Sequence, residues 1–352
     1  MQQAAGGVSF FGRVLRTVRR GTKAGLLGAS LGLGMLVSGP AQALEPLNIG
    51  TVIWIGYGPF FVADSLGLWK KNGLTVRLRV FSDPALIPPA IASEAVDGGI
   101  ITYDQVIGQD GKGQHQAVVL PVDYSDGGDA IVVDSSVHSV AELKGQKVAF
   151  NSLSPSDFLL SYALSTQGLS EKDVVTAEMT PETIPTALIG GRIKAGVTYE
   201  PFVSQITKQG GGKRFRVLYS SHDALGLIAD VLVFDRKQIA RHPAEIKVLM
   251  QGYFDGLDYM QKNPDKAAEI IAKGMGITSA EVKAQLRGIH NPSLQEMLVN
   301  LERSKRPASF ANSGVVIAKI LKTKKQIDTA PPFEETVDAD FVKAMLAAPA
   351  VK

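Results

Sequence analysis

Residues 117–134 read AVVLPVDYSDGGDAIVVD, and this run decides the architecture. Segments 117–122 and 129–134 are apolar and of strand length, and an Asp-Gly-Gly turn separates them. After the second, a new series of strands and helices begins at Val140. A later apolar segment, 225–234 (LGLIADVLVF), reads as a return to the first series. Such a chain makes two α/β lobes with the second inserted into the first. The crossings are expected near 132–136 and 220–228.

Working outward, 47–53 (LNIGTVI) reads as a first strand, and Pro59 opens a helix that runs to Trp69 before Asn72-Gly73 breaks it. Segment 74–81 (LTVRLRVF) alternates as a half-buried strand does, 85–93 is helical, and 97–101 starts another strand. On the other side, strands are expected at 147–150, 174–179, 195–198 and 217–219. Helices are expected at 140–145, 155–167, 183–190, 243–261, 267–273, 279–288 and 307–322. Strand–helix alternation at this spacing predicts, in each lobe, a doubly wound α/β sheet flanked by helices. Residues 44–133 form the first part of lobe 1, 134–222 lobe 2, and 223–352 the rest of lobe 1 with C-terminal helices and a docking tail.

Residues 1–43 read as a leader. Arg13, Arg16, Arg19, Arg20 and Lys23 precede an apolar run, 24–37, and the segment ends in Ala41-Gln42-Ala43. That order predicts an exported precursor cut after Ala43 and a periplasmic mature protein. The whole chain has 37 Lys and Arg against 34 Asp and Glu. The five leader cations leave 32 against 34, so the mature chain gives no electrostatic case for nucleic acid or a membrane surface.

Cysteine is absent, which excludes disulfides, thiolate nucleophiles and Cys-ligated metals. The histidines, His115, His138, His222, His242 and His290, form no metal-spaced pair. No phosphate-binding Gly-rich loop and no Gly-x-Ser-x-Gly elbow occurs in the mature part. The expectation is a monomer without catalytic residues, metal or cofactor.

Several stretches carry a family resemblance: Gly58-Pro59-Phe60-Phe61-Val62-Ala63 with Leu66-Gly67-Leu68-Trp69; Glu94-Ala95-Val96-Asp97-Gly98-Gly99; Asp123 to Val133; Leu143-Lys144-Gly145; Gly190-Gly191-Arg192-Ile193-Lys194-Ala195 with Tyr199-Glu200-Pro201; and Asn263-Pro264-Asp265-Lys266-Ala267-Ala268. Over 46–345 the chain resembles the substrate-binding proteins of ABC importers, specifically the nitrate/sulfonate/taurine/thiamine-pyrimidine group. The resemblance implies the two-lobed periplasmic-binding-protein fold of type II. It also implies lobes that close on a small-molecule ligand, and an inner-membrane permease with a cytoplasmic ATPase as partners. An enzyme like the fungal thiamine-pyrimidine synthase shares this fold family, but its cysteine-rich signature has no counterpart here. A ligand sensor is a further alternative.

Open α/β sheets bind ligands at the carboxyl ends of their strands. Segments 54–60, 102–105, 123–129, 151–158, 198–202 and 226–231 are expected there. They contain Asp104, Asp123, Asp126, Asp129, Asp157, Glu200 and Asp230, and no Lys, Arg or His. Each like-charge contact with an anion at about 6 Å costs on the order of 3 kcal/mol. Micromolar binding supplies only about 8 kcal/mol in all. The same segments carry Trp54, Tyr57, Tyr103, Tyr124 and Tyr199, and an aromatic face beside a carboxylate suits a cation. The expected ligand is a small nitrogenous cation or an aminopyrimidine. The alternative is an anion (a sulfonate, taurine, nitrate or bicarbonate) at a helix N-terminus with Ser154 and Ser156. The expected contacts are Trp54, Tyr57, Tyr103, Asp104, Asp123, Tyr124, Ser125, Asp129, Ser154, Ser156, Tyr199, Glu200 and Asp230. Trp69, at helical spacing with Leu66, is expected in the core.

Overall fold

The computed structural model describes residues 44–304, 306 and 309–347. The expected leader and its cleavage site lie outside the described residues. In chain order the strands are β1 (Leu47–Thr51), β2 (Val76–Val80), β3 (Gly98–Thr102), β4 (Gln116–Ser125), β5 (Asp129–Asp134), β6 (Lys147–Phe150), β7 (Val175–Glu178), β8 (Ala195–Tyr199), β9 (Phe215–Ser220), β10 (Ala229–Asp235) and β11 (Ile289–His290). They form two sheets, ordered β11-β4-β10-β3-β1-β2 and β7-β6-β8-β5-β9.

Both sheets are mixed. β1 is parallel to β2 and β3, and β6 to β7 and β8. The strands that carry the chain between sheets run the other way: β10 is antiparallel to β3 and β4, and β5 to β8 and β9. A chain arriving from the other lobe enters its sheet from the opposite end, so a return strand inserts antiparallel.

The first crossing corrects the sequence reading. The chain changes sheets between Ser125 and Asp129, not near 132–136, because β5 pairs along its whole length with β8 and β9. Gly127, at φ +104, supplies the left-handed turn that only glycine makes without strain. The second crossing runs from Ser221 to Ile228.

Helices form where caps and apolar stripes agree. Ser154 caps Pro155–Thr166 by accepting from Ser156 N at 3.2 Å, with Pro155 in the first turn. The longest helix, Pro243–Lys262, buries Ile246, Leu249, Met250 and Tyr253. Trp69 is buried against it and donates from Nε1 to Leu249 O at 3.0 Å. The helix Phe310–Thr323 is followed by two shorter ones, Phe333–Thr336 and Asp340–Ala347. Among the described residues no helix is long and apolar enough to cross a membrane.

The lobes are closed on each other. Gln105 donates from Nε2 to Leu153 O at 3.2 Å, and Lys208 pairs with Glu281 at 2.5 Å. Lys324, just past the helix Phe310–Thr323, pairs with Asp157 and Glu171 of the second lobe and donates to Ser161 Oγ at 2.9 Å.

Candidate functional site

The cavity between the lobes is about 20 Å³, room for about one water. Trp54, Tyr57, Thr102, Gln105 and Asp230 line it from the first lobe, over an apolar floor of Val52, Ile87, Ile100 and Ile101. Asp129, Pro155 and Tyr199 close it from the second. Trp54 and Tyr199 meet edge to face, ring centres 5.7 Å apart at 87°. No Lys, Arg or His lines this cavity among the described residues.

Sheet register places the acids. Asp230 on β10 stands opposite Asp123 on β4 and Thr102 on β3. In the second sheet Asp129 stands opposite Tyr199. Directly opposed residues share a face, so the two pairings put carboxyls and rings at the mouths of adjacent strand ends. All three acids are buried. Trp54 Nε1 donates to both oxygens of Asp123, at 3.2 and 3.3 Å, and the Tyr57 hydroxyl donates to Asp230 Oδ1.

Burial dominates their protonation. Loss of solvent pushes Asp123 up to about 8, with Asp129 adding repulsion and the Trp54 donor opposing it. Asp129 is pushed up to about 7, mainly by burial, against the stabilising Ser125 hydroxyl. Asp230 is raised well above the usual carboxylate range by burial and then by Asp123.

Two glycines make the close approach possible. A Cβ on Gly56 would lie 2.2 Å from Asp123 Oδ2, and one on Gly128 2.5 Å from the Trp54 ring. Any side chain there displaces the group it would touch.

Six expected contacts fall elsewhere. Tyr103 turns away from the cleft, stacks on Phe310 at 4.4 Å and bonds Thr336 Oγ1 at 2.8 Å, at the edge of a separate 530 Å³ cavity. Tyr124 follows Asp123 on β4 and so takes the opposite face, against His290 and Phe310. Ser125 bonds Ser221 Oγ at 2.8 Å and accepts from Asp129 N at 3.1 Å, which ties the two crossings together. Glu200 caps the helix Phe202–Thr207, accepting from Ser204 N at 3.1 Å and Ser204 Oγ at 2.8 Å. Ser154 and Asp104 face a neighbouring polar cavity with Asp157 and Lys324. There Asp104 Oδ1 is buried without a hydrogen-bond partner, and burial raises this carboxyl to about 6.

Ser156 is buried beside Pro155, its Oγ without a hydrogen-bond partner. Two of the seven acids counted against an anion are not free. Asp157 is paired with Lys324, and half-buried Asp126 with His222 at 2.6 Å. The sequence reading missed Gln105, Thr102 and Lys324. Gln105 carried a signal, three residues after Thr102 in a capping box; Lys324 carried none. Among the described residues no group of His, Cys, Asp and Glu side chains is placed to hold a metal ion.

Comparisons with known proteins follow the same lines. The family model described as NMT1/THI5 like matches residues 54–267, more than half of the chain. A Brucella abortus (strain 2308) protein named as a binding protein is 24% identical over 279 residues, 79% of this chain and 86% of that one. A Haemophilus influenzae protein named for thiamine biosynthesis is 28% identical over 244 residues, 67% of this chain and 75% of that one. Among solved structures, the alkanesulfonate-binding protein SsuA from Xanthomonas axonopodis pv. citri, bound to MOPS, superposes with a TM-score of 0.69 at 17% identity, over 84% of this chain and 98% of that one. The chain belongs to the NMT1/THI5 like family, as the resemblance in its sequence implied, and it has the two-lobed fold of the periplasmic binding proteins.

Proposed function

We propose that this protein is the solute-binding component of an ABC import system, exported to the periplasm, and that its lobes close on a small nitrogenous cation or an aminopyrimidine and deliver it to a membrane permease. One observation carries the ligand class. Asp129 and Asp230 line the cleft cavity beside Trp54, Tyr57 and Tyr199, Asp123 is buried behind them against Trp54 and opposite Asp230, and among the described residues no cationic side chain lines the cavity. Buried carboxylates need a positive partner, and aromatic faces beside them favour amidinium, guanidinium and ammonium groups. The relative named for thiamine biosynthesis supports the pyrimidine arm.

A second reading rests on Ser156 and Pro155. The N-terminus of the twelve-residue helix Pro155–Thr166 opens at the cavity, and the Ser156 hydroxyl beside it has no partner. An anion could be held there, and the superposed alkanesulfonate-binding protein makes a sulfonate the natural test case.

The test has two parts. Mass spectrometry of small molecules released from natively purified protein identifies the ligand. Calorimetry against guanidine, thiamine pyrimidine, polyamines, taurine and nitrate then ranks the classes. Tight binding of an anion alone would end the cationic reading. A ligand returned chemically altered would replace binding with catalysis.

A further inference from the structure

Asp123 and Asp230 stand directly opposite each other on β4 and β10, and both are buried. Two carboxylates offer only acceptors and repel, so opposed and buried in this way they favour holding one proton between them. The other donors are neutral: Trp54 Nε1 on Asp123 and the Tyr57 hydroxyl on Asp230. Neutral donors of this kind suit one negative charge on the pair, not two. Among the described residues, the titratable groups that act most strongly on the pair are acids and phenols. Tyr57 comes from the turn after β1, Tyr253 from the helix Pro243–Lys262, and Asp129 and Tyr199 from the second sheet. Asp104 and Glu200 act at longer range on Asp129.

We propose, resting on the cationic reading above, that the cleft works by exchange: an incoming cation replaces a proton held between Asp123 and Asp230. The O–H bond of the shared carboxyl breaks and its proton passes to water. The pair goes from one negative charge to two, and the ligand's positive charge restores the balance. Charge therefore selects the ligand within the proposed class. A neutral aminopyrimidine leaves the proton in place; a guanidinium or alkylammonium expels it. Burial raises both carboxyls and keeps the proton on the pair at neutral pH.

The probes are guanidinium and putrescine, titrated calorimetrically into the mature protein. Phosphate and Tris buffers differ in ionisation enthalpy, so the difference in heat counts the protons released. The expected result is about one proton per bound cation, with affinity rising about tenfold per pH unit below neutrality. In Asp230→Asn the amide can donate to Asp123 and holds Asp123 as a carboxylate without an ionisable proton of its own, so the release disappears. Binding of either cation with no buffer dependence would overturn the exchange and leave the cationic reading intact. Failure of both probes to bind would remove both. A readout free of ligand is the infrared spectrum at pH 7. The wild-type spectrum minus that of Asp230→Asn is expected to show a protonated-carboxyl band, and a difference spectrum without one would overturn the proposal.

Discussion

Lys324 reaches across the cleft from the end of the helix Phe310–Thr323 and is held between Asp157 and Glu171 of the second lobe. Gln326 adds a bond to Asp157 at 3.0 Å, and Asp157 also accepts from Leu153 N at 2.9 Å. The lysine and Asp157 side chains are 12% and 4% exposed, so this contact is far less screened than a surface pair. It joins the lobes only when they are closed.

Lys324→Met therefore strands two carboxylates. Removing one member of a buried pair costs about 3 kcal/mol, and the cost falls on the closed form. Scattering should show a more open unliganded protein, and ligand affinity should fall by about a hundredfold or more. Adding Asp157→Asn to Lys324→Met should recover part of the loss. An unchanged scattering profile and affinity would remove Lys324 from closure.

Protonation makes stability depend on pH in an uncommon direction. Asp104 is raised to about 6, Asp110 and Asp129 to about 7 and Asp123 to about 8, each mainly by burial. Their folded-state values lie above the unfolded carboxylate value of about 3.9. The folded protein therefore holds more protons than the unfolded chain across this window. The stability they contribute is complete below about pH 4 and is lost as pH rises through 6 to 8. The ligand-free melting temperature should fall between pH 5.5 and 8.5, and Asp123→Asn should flatten that fall. A melting temperature that rises over the same interval would contradict the buried-acid account.

Glu200 tests the difference between a carboxylate near a cleft and one in it. Its two oxygens are engaged by Ser204, and it does not line the cavity. Glu200→Gln keeps an acceptor for the helix end. It should leave ligand affinity unchanged and lower stability by about 1 kcal/mol or less. A large loss of affinity would return Glu200 to the site.

Glu200 also marks where the chain's legibility stops. The two lobes and their strands could be read because apolar periodicity and Gly turns are local signals, as in 117–134. Asp123, Asp129, Asp230, Trp54, Tyr57 and Tyr199 could be nominated because strand ends in α/β sheets face a common cleft. What was hidden depends on orientation and distance. Tyr124 is one residue from Asp123, and the strand's alternation sends it to the other face. Tyr103 goes to Phe310, more than 200 residues away in sequence. Lys324 neutralises Asp157 from 167 positions downstream, so counting charges within local segments overstated the free acid at the cleft.

The chain has two tryptophans in very different settings. Trp69 is buried in the first lobe and donates to Leu249 O, remote from the cleft. Trp54 meets Tyr199 across the lobes and donates to Asp123. Ligand entry must change the surroundings of Trp54 and leave Trp69 alone. The emission change on ligand binding should persist in Trp69→Phe and vanish in Trp54→Phe. Trp54→Ala should weaken a cationic ligand by about 2 kcal/mol, roughly thirtyfold, through loss of the ring face. Gly128→Ala reaches the same group from the backbone. Its methyl would press on the indole from 2.5 Å and push it off Tyr199, so it should lower affinity while both tryptophans remain. Wild-type affinity in Gly128→Ala would mean that the Trp54–Tyr199 contact does not shape the ligand site.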